Sequence, residues 1–311
     1  MSTIDYSGRD DRVRRNVYAS VRRRDGLPQE LFSNYWRDVH ATLCSRLPGL
    51  DFYVQQHFDR DHTANLWPVA DSVRRITAVL DGSAELGFAS SEGQQRFGEA
   101  GTILYADERN LFSEAIAYSL PTGSLTMVDR EEDGIRNGPD RLHRVHVHMN
   151  RRAGTDAERW LEDSSASLAA DHAVQKWKLH LPEPYDNTHP APPSPDVGHQ
   201  VDAERVNLAV AEVAFENART ASEFFAGSCF QKMLRRQSRH LDAIGAYRVT
   251  GFYTFVREGI PTTAGLRGSR PAELIDSLGA ANQLAPGIVA YFAPRHASAL
   301  AGVNGAQSWA G

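Results

Sequence analysis

The chain has 311 residues, of which 41% are hydrophobic and 23% charged, and its formal net charge is −5. These values are typical of a soluble globular protein, and the negative balance gives no support to a nucleic-acid or anionic-membrane partner. No apolar run approaches the roughly 20 residues that a membrane-crossing helix needs.

The first half of the chain alternates strand-like and helix-like segments. Residues 16–21 read as a strand, and an apolar stripe at helical spacing over residues 29–47 predicts a helix that Pro48-Gly49 ends. The later elements predicted are a strand over 50–58, a strand from Asp81-Gly82 to Phe88, a helix from Ser90 and a strand within 112–128. The order is strand, helix, strand, strand, helix, strand.

The second half repeats this order. Its predicted strands are 144–150, 174–181, 206–215 and 247–256, and its predicted helices are 155–170 and 218–241. Ala84-Glu85 precedes Phe88 and Phe97 at the same intervals at which Ala211-Glu212 precedes Phe215 and Phe224. A repeated order with matched positions indicates an internal duplication. After residue 257 we expect an extension with one short helix, over 271–284.

The helix and its flanks resemble the EthD family. The motif consists of Asp25-Gly26-Leu27-Pro28, Phe32, Tyr35-Trp36, His40, Leu47-Pro48-Gly49-Leu50 and Tyr53-Val54-Gln55, with Asp81-Gly82 and Ala84-Glu85-Leu86 downstream. The resemblance covers residues 15–130 well, and residues 142–256 echo it only structurally. It implies a dimeric α/β-barrel fold, a group that includes muconolactone isomerases, cofactor-free monooxygenases and haem proteins. One such fold carries unrelated chemistries, so the reaction does not follow from it.

We therefore expect an α+β protein of two ferredoxin-like βαββαβ repeats whose antiparallel sheets pack face to face as a pseudo-dimeric α/β barrel. The predicted units are residues 12–135, a degenerate repeat over 140–258, and an extension over 259–311. Because the duplication supplies the contact between sheets, the chain could be a monomer or a homodimer.

His40 is the leading catalytic candidate. It lies one helical turn after Trp36, on the apolar stripe that must face the sheet. The resemblance implies a ligand cavity at that place, where an imidazole could move a proton near neutral pH. A histidine satisfied within the core is the alternative. In the second repeat, Ser165 and Leu161 replace His40 and Trp36, so we expect a single site in the first repeat.

Other side chains could bind the substrate. Tyr35 and Trp36 are aromatic residues of the same helix, and each could serve as core or as pocket lining. Gln55 and His57 share one strand face with Tyr53, while Tyr18 shares a face with Ser20 on the first strand. The sequence does not decide which face lies beneath the helices. These residues, Tyr18, Tyr35, Trp36, Gln55 and His57, are the predicted substrate-binding set.

No metal or cofactor site is predicted. His146 and His148 point the same way along one strand, and His180 could join them, but isolated H-x-H pairs on strands are common. Glu85 recurs as Glu212, which favours a shared structural role over catalysis. Cys44 and Cys229 both lie at apolar helical positions, as buried thiols do, and the polar amino terminus lacks the apolar core of a signal peptide. We expect a reducing, cytoplasmic compartment.

Three functions remain open on these observations. The first is a cofactor-independent lyase or isomerase of catabolism or secondary metabolism, in which His40 acts as general acid/base on a hydrophobic, oxygenated or aromatic molecule. Its reactions would be isomerisation, elimination, decarboxylation or cyclisation. The second is a monooxygenase, either cofactor-free or haem-dependent. The third is a non-catalytic protein that binds a small molecule.

Overall fold

The first repeat has the predicted order of elements. The computed structural model describes residues 4–60 and 65–292, so residues 293–311 of the predicted extension lie outside it. The strands are β1 (Arg15–Arg23), β2 (Phe52–Phe58), the short β3 (Arg74–Arg75), β4 (Gly82–Phe88) and β5 (Phe112–Leu120). The helices are α1 (Gln29–Tyr35), a π-helical turn (Trp36–His40), α2 (Ala41–Cys44), α3 (Ser91–Ala100) and α4 (Thr102–Leu111), after a 3-10 turn (Ser7–Asp10). The four long strands pair antiparallel in the order β5-β1-β4-β2.

The second repeat has the same topology. Two short strands, β6 (Leu125–Asp129) and β7 (Asn137–Pro139), precede it. Its strands are β8 (His143–Arg151), β9 (Val174–His180), β10 (Leu208–Phe215) and β11 (Leu241–Arg257), and its helices are α5 (Ala157–Ala169), α6 (Ala218–Ala226), α7 (Ser228–Leu234) and α8 (Gln237–His240). The strand order β11-β8-β10-β9 matches that of the first repeat. The predicted fold of two ferredoxin-like repeats is confirmed.

The two sheets join into a closed barrel. Residues 249–256 of β11 pair with β2, and residues 241–248 of the same strand pair with β8. At the other end of the strand path β6 pairs with β9, and only residues 121–124 separate it from β5. The ends of the path therefore meet. The inner faces of the repeats oppose each other, since the Tyr18 hydroxyl of β1 lies 3.0 Å from His146 Nδ1 of β8.

Each repeat has its own core between sheet and helices, and each core is completed by a segment of the other repeat. The first strap, residues 65–80 between β2 and β4, places Leu66, Trp67 and Val73 in the core of the second repeat. The second strap, residues 181–207 between β9 and β10, places Val197 in the core of the first repeat. The straps are thus exchanged between the repeats.

The tail covers the first repeat. It contains β12 (Ile260–Pro261), α9 (Thr263–Arg267), α10 (Ser269–Leu278), a 3-10 turn (Ala281–Leu284) and α11 (Pro286–Val289). Ala264 and Ala272 pack into the first core. The predicted helix over 271–284 begins two residues earlier and ends at Leu278, because Gly279 takes a left-handed conformation with φ of 60°.

Other differences from the predictions are local. The helix expected over 218–241 is three short helices, and the last strand begins at Leu241 rather than Tyr247. Cys44 is buried and free as predicted, whereas Cys229 is free but exposed. The prediction of a buried thiol is wrong for Cys229 because its neighbour Phe230 is the residue of α7 that enters the core. Among the described residues, no helix is long and apolar enough to cross a membrane.

Candidate active site

A cavity of about 680 Å³ lies between the helices and the outer sheet face of the first repeat. The second strap covers it with Pro190, Pro192, Pro193 and His199. Its remaining walls are mostly apolar and include Val17, Ala19, Val21, Trp36, Ala84, Leu86, Phe88, Leu104 and Phe112. A concave, apolar space with few polar groups is the usual form of a small-molecule site.

The π-helical turn brings His40 to this cavity. The Ala41 amide donates to the Trp36 carbonyl, five residues back, and Gln55 Nε2 donates to the same carbonyl at 3.3 Å. Trp36 and His40 both line the cavity at 1% and 6% exposure, whereas Val39 is 47% exposed. Single π-turns inside α-helices are frequent at functional sites.

His40 forms a dyad with a carboxylate that the sequence analysis missed. Its Nδ1 lies 2.9 Å from Asp107 Oδ2 on α4. Asp107 Oδ1 also accepts from the Tyr35 hydroxyl at 2.7 Å and from Asn110 Nδ2 at 3.1 Å. Burial alone would raise the pKa of Asp107, but the hydrogen bonds from His40 and Tyr35 outweigh it and lower that pKa.

This pairing sets the tautomer of His40. An ionised Asp107 accepts the Nδ1 proton, so a neutral His40 has its lone pair on Nε2. Among the described residues, no side chain or backbone group bonds to that nitrogen, and the ring lies at the cavity wall. A neutral His40 therefore has an unprotonated ring nitrogen at the wall of the cavity.

Glu108, next to Asp107 on α4, is a second titratable group at the cavity. Its Oε2 is buried without a hydrogen-bond partner. Burial, with a smaller contribution from the charge of Asp107, raises the pKa of Glu108 to about 7. The sequence did carry a signal for it, because Glu108 falls between Leu104 and Leu111 on the apolar stripe of α4, where a carboxyl group is unusual.

Two of the predicted substrate-binding residues lie behind Trp36 rather than at the cavity. His57 stacks on the Trp36 indole with ring centroids 4.6 Å apart, and Gln55 donates to the Tyr53 hydroxyl at 2.7 Å. Burial, with a smaller contribution from Arg37, lowers the pKa of His57 to about 3. These contacts hold Trp36 in place, and His57 is neutral at physiological pH.

Tyr18 lies on the opposite face of the sheet, inside the barrel. Its hydroxyl contacts His146 Nδ1 at 3.0 Å and His148 Nε2 at 2.9 Å. Tyr35 reaches the site only through Asp107. The structure thus brings Trp36 and His40 together at the cavity, supports them with Tyr35, Gln55 and His57, and separates Tyr18 from them.

The second repeat has no counterpart of this dyad at the aligned positions. Leu161 and Ser165 are buried, at 3% and 2% exposure. The space between its helices and sheet holds Trp67 of the first strap, whose indole contacts Phe230, Phe225 and Trp177 with centroids 5.1, 5.4 and 6.1 Å away.

Comparison with known proteins supports the fold. No curated protein sequence matches the chain. The structure of an anthrone oxidase-like protein superposes with a TM-score of 0.50 at 9% identity, over 81% of this chain and 95% of that one. A protein of Fusobacterium nucleatum described as a candidate monooxygenase gives 0.47 at 8% identity, over 80% and 96%. Residues 24–115, which carry the dyad, match the EthD domain, so this part of the first repeat is similar to that family.

Proposed function

We propose that this protein is a cofactor-independent enzyme that uses His40 as general acid/base on a neutral, hydrophobic, oxygenated organic molecule. The observation that carries the proposal is the 2.9 Å bond between His40 Nδ1 and Asp107 at the wall of an apolar cavity. A carboxylate that fixes the tautomer and stabilises the imidazolium is the usual partner of a histidine base.

The groups at the cavity support one proton-transfer scheme. His40 Nε2 takes a proton from a carbon next to a carbonyl group, and the electron pair moves to the carbonyl oxygen. The imidazolium is stabilised by Asp107. Glu108, about half protonated near neutral pH, can donate to the developing oxygen anion. Return of the proton to another carbon gives isomerisation. Elimination follows instead when a bond from a neighbouring carbon to a hydroxyl group breaks, and His40 gives its proton to that hydroxyl, which leaves as water.

The lining also restricts the charge of the substrate. The described residues around the cavity include the acidic Glu108, Glu183 and Asp186 but neither lysine nor arginine. An anionic ligand would lose hydration there without gaining a lysine or arginine partner. The substrate class that fits is therefore uncharged, with apolar surface for the walls and at least one oxygen for the dyad.

Haem, which some proteins of this fold bind, does not fit this lining. His40 could offer Nε2 to an iron, since its Nδ1 is already bonded. The two propionates of haem, however, would meet carboxyl groups instead of cations along the described part of the cavity. We derive no step through haem.

A general assay tests the base without the natural substrate. The protein is incubated in D₂O with 2-tetralone, a neutral bicyclic ketone, and exchange at the α-carbon is followed by NMR. We expect His40→Ala to lower the enzymatic exchange rate by roughly 10²–10⁴-fold, the usual contribution of a positioned base. Ser165→Ala, at the aligned position of the second repeat, is the matched control and should leave the rate unchanged.

Three outcomes would contradict the proposal. Exchange that persists in a folded His40→Ala variant would show that His40 is not the base. Tight binding of the ketone without exchange would indicate a binding protein. Oxygen consumption during the incubation would assign a monooxygenase in place of a lyase or isomerase.

A further inference from the structure

The barrel interior holds a second group of polar side chains, on the opposite side of the sheet from the cavity. Glu85 of β4 and Glu212 of β10 occupy equivalent positions in the two repeats and are 2% and 1% exposed. His180, at the end of β9, is 1% exposed. One oxygen of each carboxylate and one ring nitrogen of His180 all lie within 4.8 Å of one another.

We propose that Glu85, His180 and Glu212 bind a divalent transition-metal ion at the centre of the barrel. Ligand atoms at roughly 2.1 Å from an ion lie about 3–4 Å apart, so small side-chain rotations would close the site. Imidazole with carboxylates suits Mn²⁺, Fe²⁺ or Zn²⁺, whereas Ca²⁺ needs more oxygen ligands. Because the ligands come from both repeats, the ion would tie the two halves of the barrel together.

His180 is arranged as a ligand. Its Nδ1 lies 2.8 Å from Ser124 Oγ, and its Nε2 is buried without a partner among the described residues. A ligating histidine normally bonds through its other nitrogen in this way, which orients the ring.

The hydrogen bonds and ion pairs of both carboxylates involve Oε1. Glu85 accepts through Oε1 from Asn16 Nδ2 at 2.6 Å and from Lys178 Nζ at 2.5 Å. Glu212 pairs through Oε1 with Arg144, and Lys176 Nζ lies 3.9 Å from the same oxygen. No hydrogen bond to the Oε2 of either residue occurs within the described ranges. Protein cations therefore lie beside both carboxylates, and an incoming metal would compete with Lys178 for Glu85.

A variant of Lys178 should therefore change metal binding in the opposite direction from variants of the ligands. The full chain is freed of metal by dialysis against a chelator, and binding of Zn²⁺ or Mn²⁺ is measured by calorimetry together with the unfolding temperature. We expect one ion per chain and a higher unfolding temperature with metal. His180→Ala and Glu212→Gln should abolish both effects, and Ser124→Ala should weaken binding about 10–100-fold.

Lys178→Met should instead strengthen binding. It leaves Glu85 buried without its cation, so the metal-free variant should unfold at a lower temperature and gain more from the ion than the wild type does. His172→Ala, at a fully exposed histidine, is the control for surface binding. The proposal would be overturned if neither Zn²⁺ nor Mn²⁺ bound to the wild type or to Lys178→Met. It would also be overturned if binding survived in His180→Ala and Glu212→Gln. Neither result bears on the His40 site.

Discussion

The two repeats share one topology but differ in what lies between the sheet and the helices. In the first repeat that space is a cavity of about 680 Å³, covered by the proline-rich second strap. In the second repeat the first strap inserts Trp67, which is 3% exposed and packs among aromatic side chains. The cavity thus lies in the repeat that contains the histidine dyad.

The two repeats therefore differ in their straps as well as in their own residues. Gln237 of the second repeat bonds to the backbone of Ala70 and Pro68 and so fixes the first strap. In return, the Tyr105 carbonyl of the first repeat accepts from Ser194 Oγ of the second strap at 2.9 Å. The second repeat has lost the dyad, yet its strap completes the site of the first.

The largest effect should follow from breaking the dyad in the first repeat. Asp107→Asn would no longer stabilise the imidazolium and would favour the wrong tautomer of His40, so we expect the exchange rate of 2-tetralone to fall by roughly 10²–10⁴-fold. Tyr35→Phe, which removes only a bond to Asp107, should have a smaller effect. Equal rates for wild type and Asp107→Asn would show that the pair is structural.

The next largest effect should come from removing the side chain that fills the space between the helices and the sheet of the second repeat. Trp67→Ala removes a buried indole from the first strap, so the free energy of unfolding should fall by about 3–5 kcal/mol in urea titrations. The variant should also gain an apolar cavity that takes up a dye such as ANS under native conditions. A loss below about 1 kcal/mol would mean that the strap refills the space.

How much the sequence could predict differs between the fold and the site. The element order and the duplication follow from periodicity, since each strand and helix leaves its own apolar pattern. His40 is visible for the same reason, as a titratable group on an apolar stripe. Asp107 is not, because it lies 67 residues away and the pair forms only through the packing of α4 on the π-helical turn.

The sequence also does not show which face of the sheet lies beneath the helices. Tyr18 lies between Val17 and Ala19, whereas Gln55 lies between Val54 and Gln56, so polar side chains fall on both faces of the second strand. Only the structure shows that Gln55 faces the helices while Tyr18 faces the barrel interior. The straps were similarly hidden, since composition indicates a loop but not the repeat that the loop covers.

A third prediction concerns the partly buried Glu108. Its pKa of about 7 in the folded chain exceeds the ordinary value of 4.5, so the folded state holds an additional proton between these values. The stabilisation is complete below about pH 4.5 and is lost as the pH rises through about 7, an effect of about 2 kcal/mol for this partly exposed side chain. The urea midpoint of the wild type should fall between pH 4.5 and 8, and Glu108→Gln should show a smaller fall. The same dependence of the midpoint on pH in both proteins would show that the carboxyl of Glu108 is solvated.

The smallest effect tests the comparison most directly, because Ala84 and Ala211 precede the equivalent glutamates of the two repeats. Ala84 faces the cavity, whereas Ala211, 1% exposed, packs in the second core. Ala211→Leu should overpack that core and lower the free energy of unfolding by about 1–3 kcal/mol. Ala84→Leu has room for its added methyl groups, so it should change stability less while slowing 2-tetralone exchange by occupying the cavity. Equal destabilisation in urea titrations would mean that the two spaces do not differ in solution.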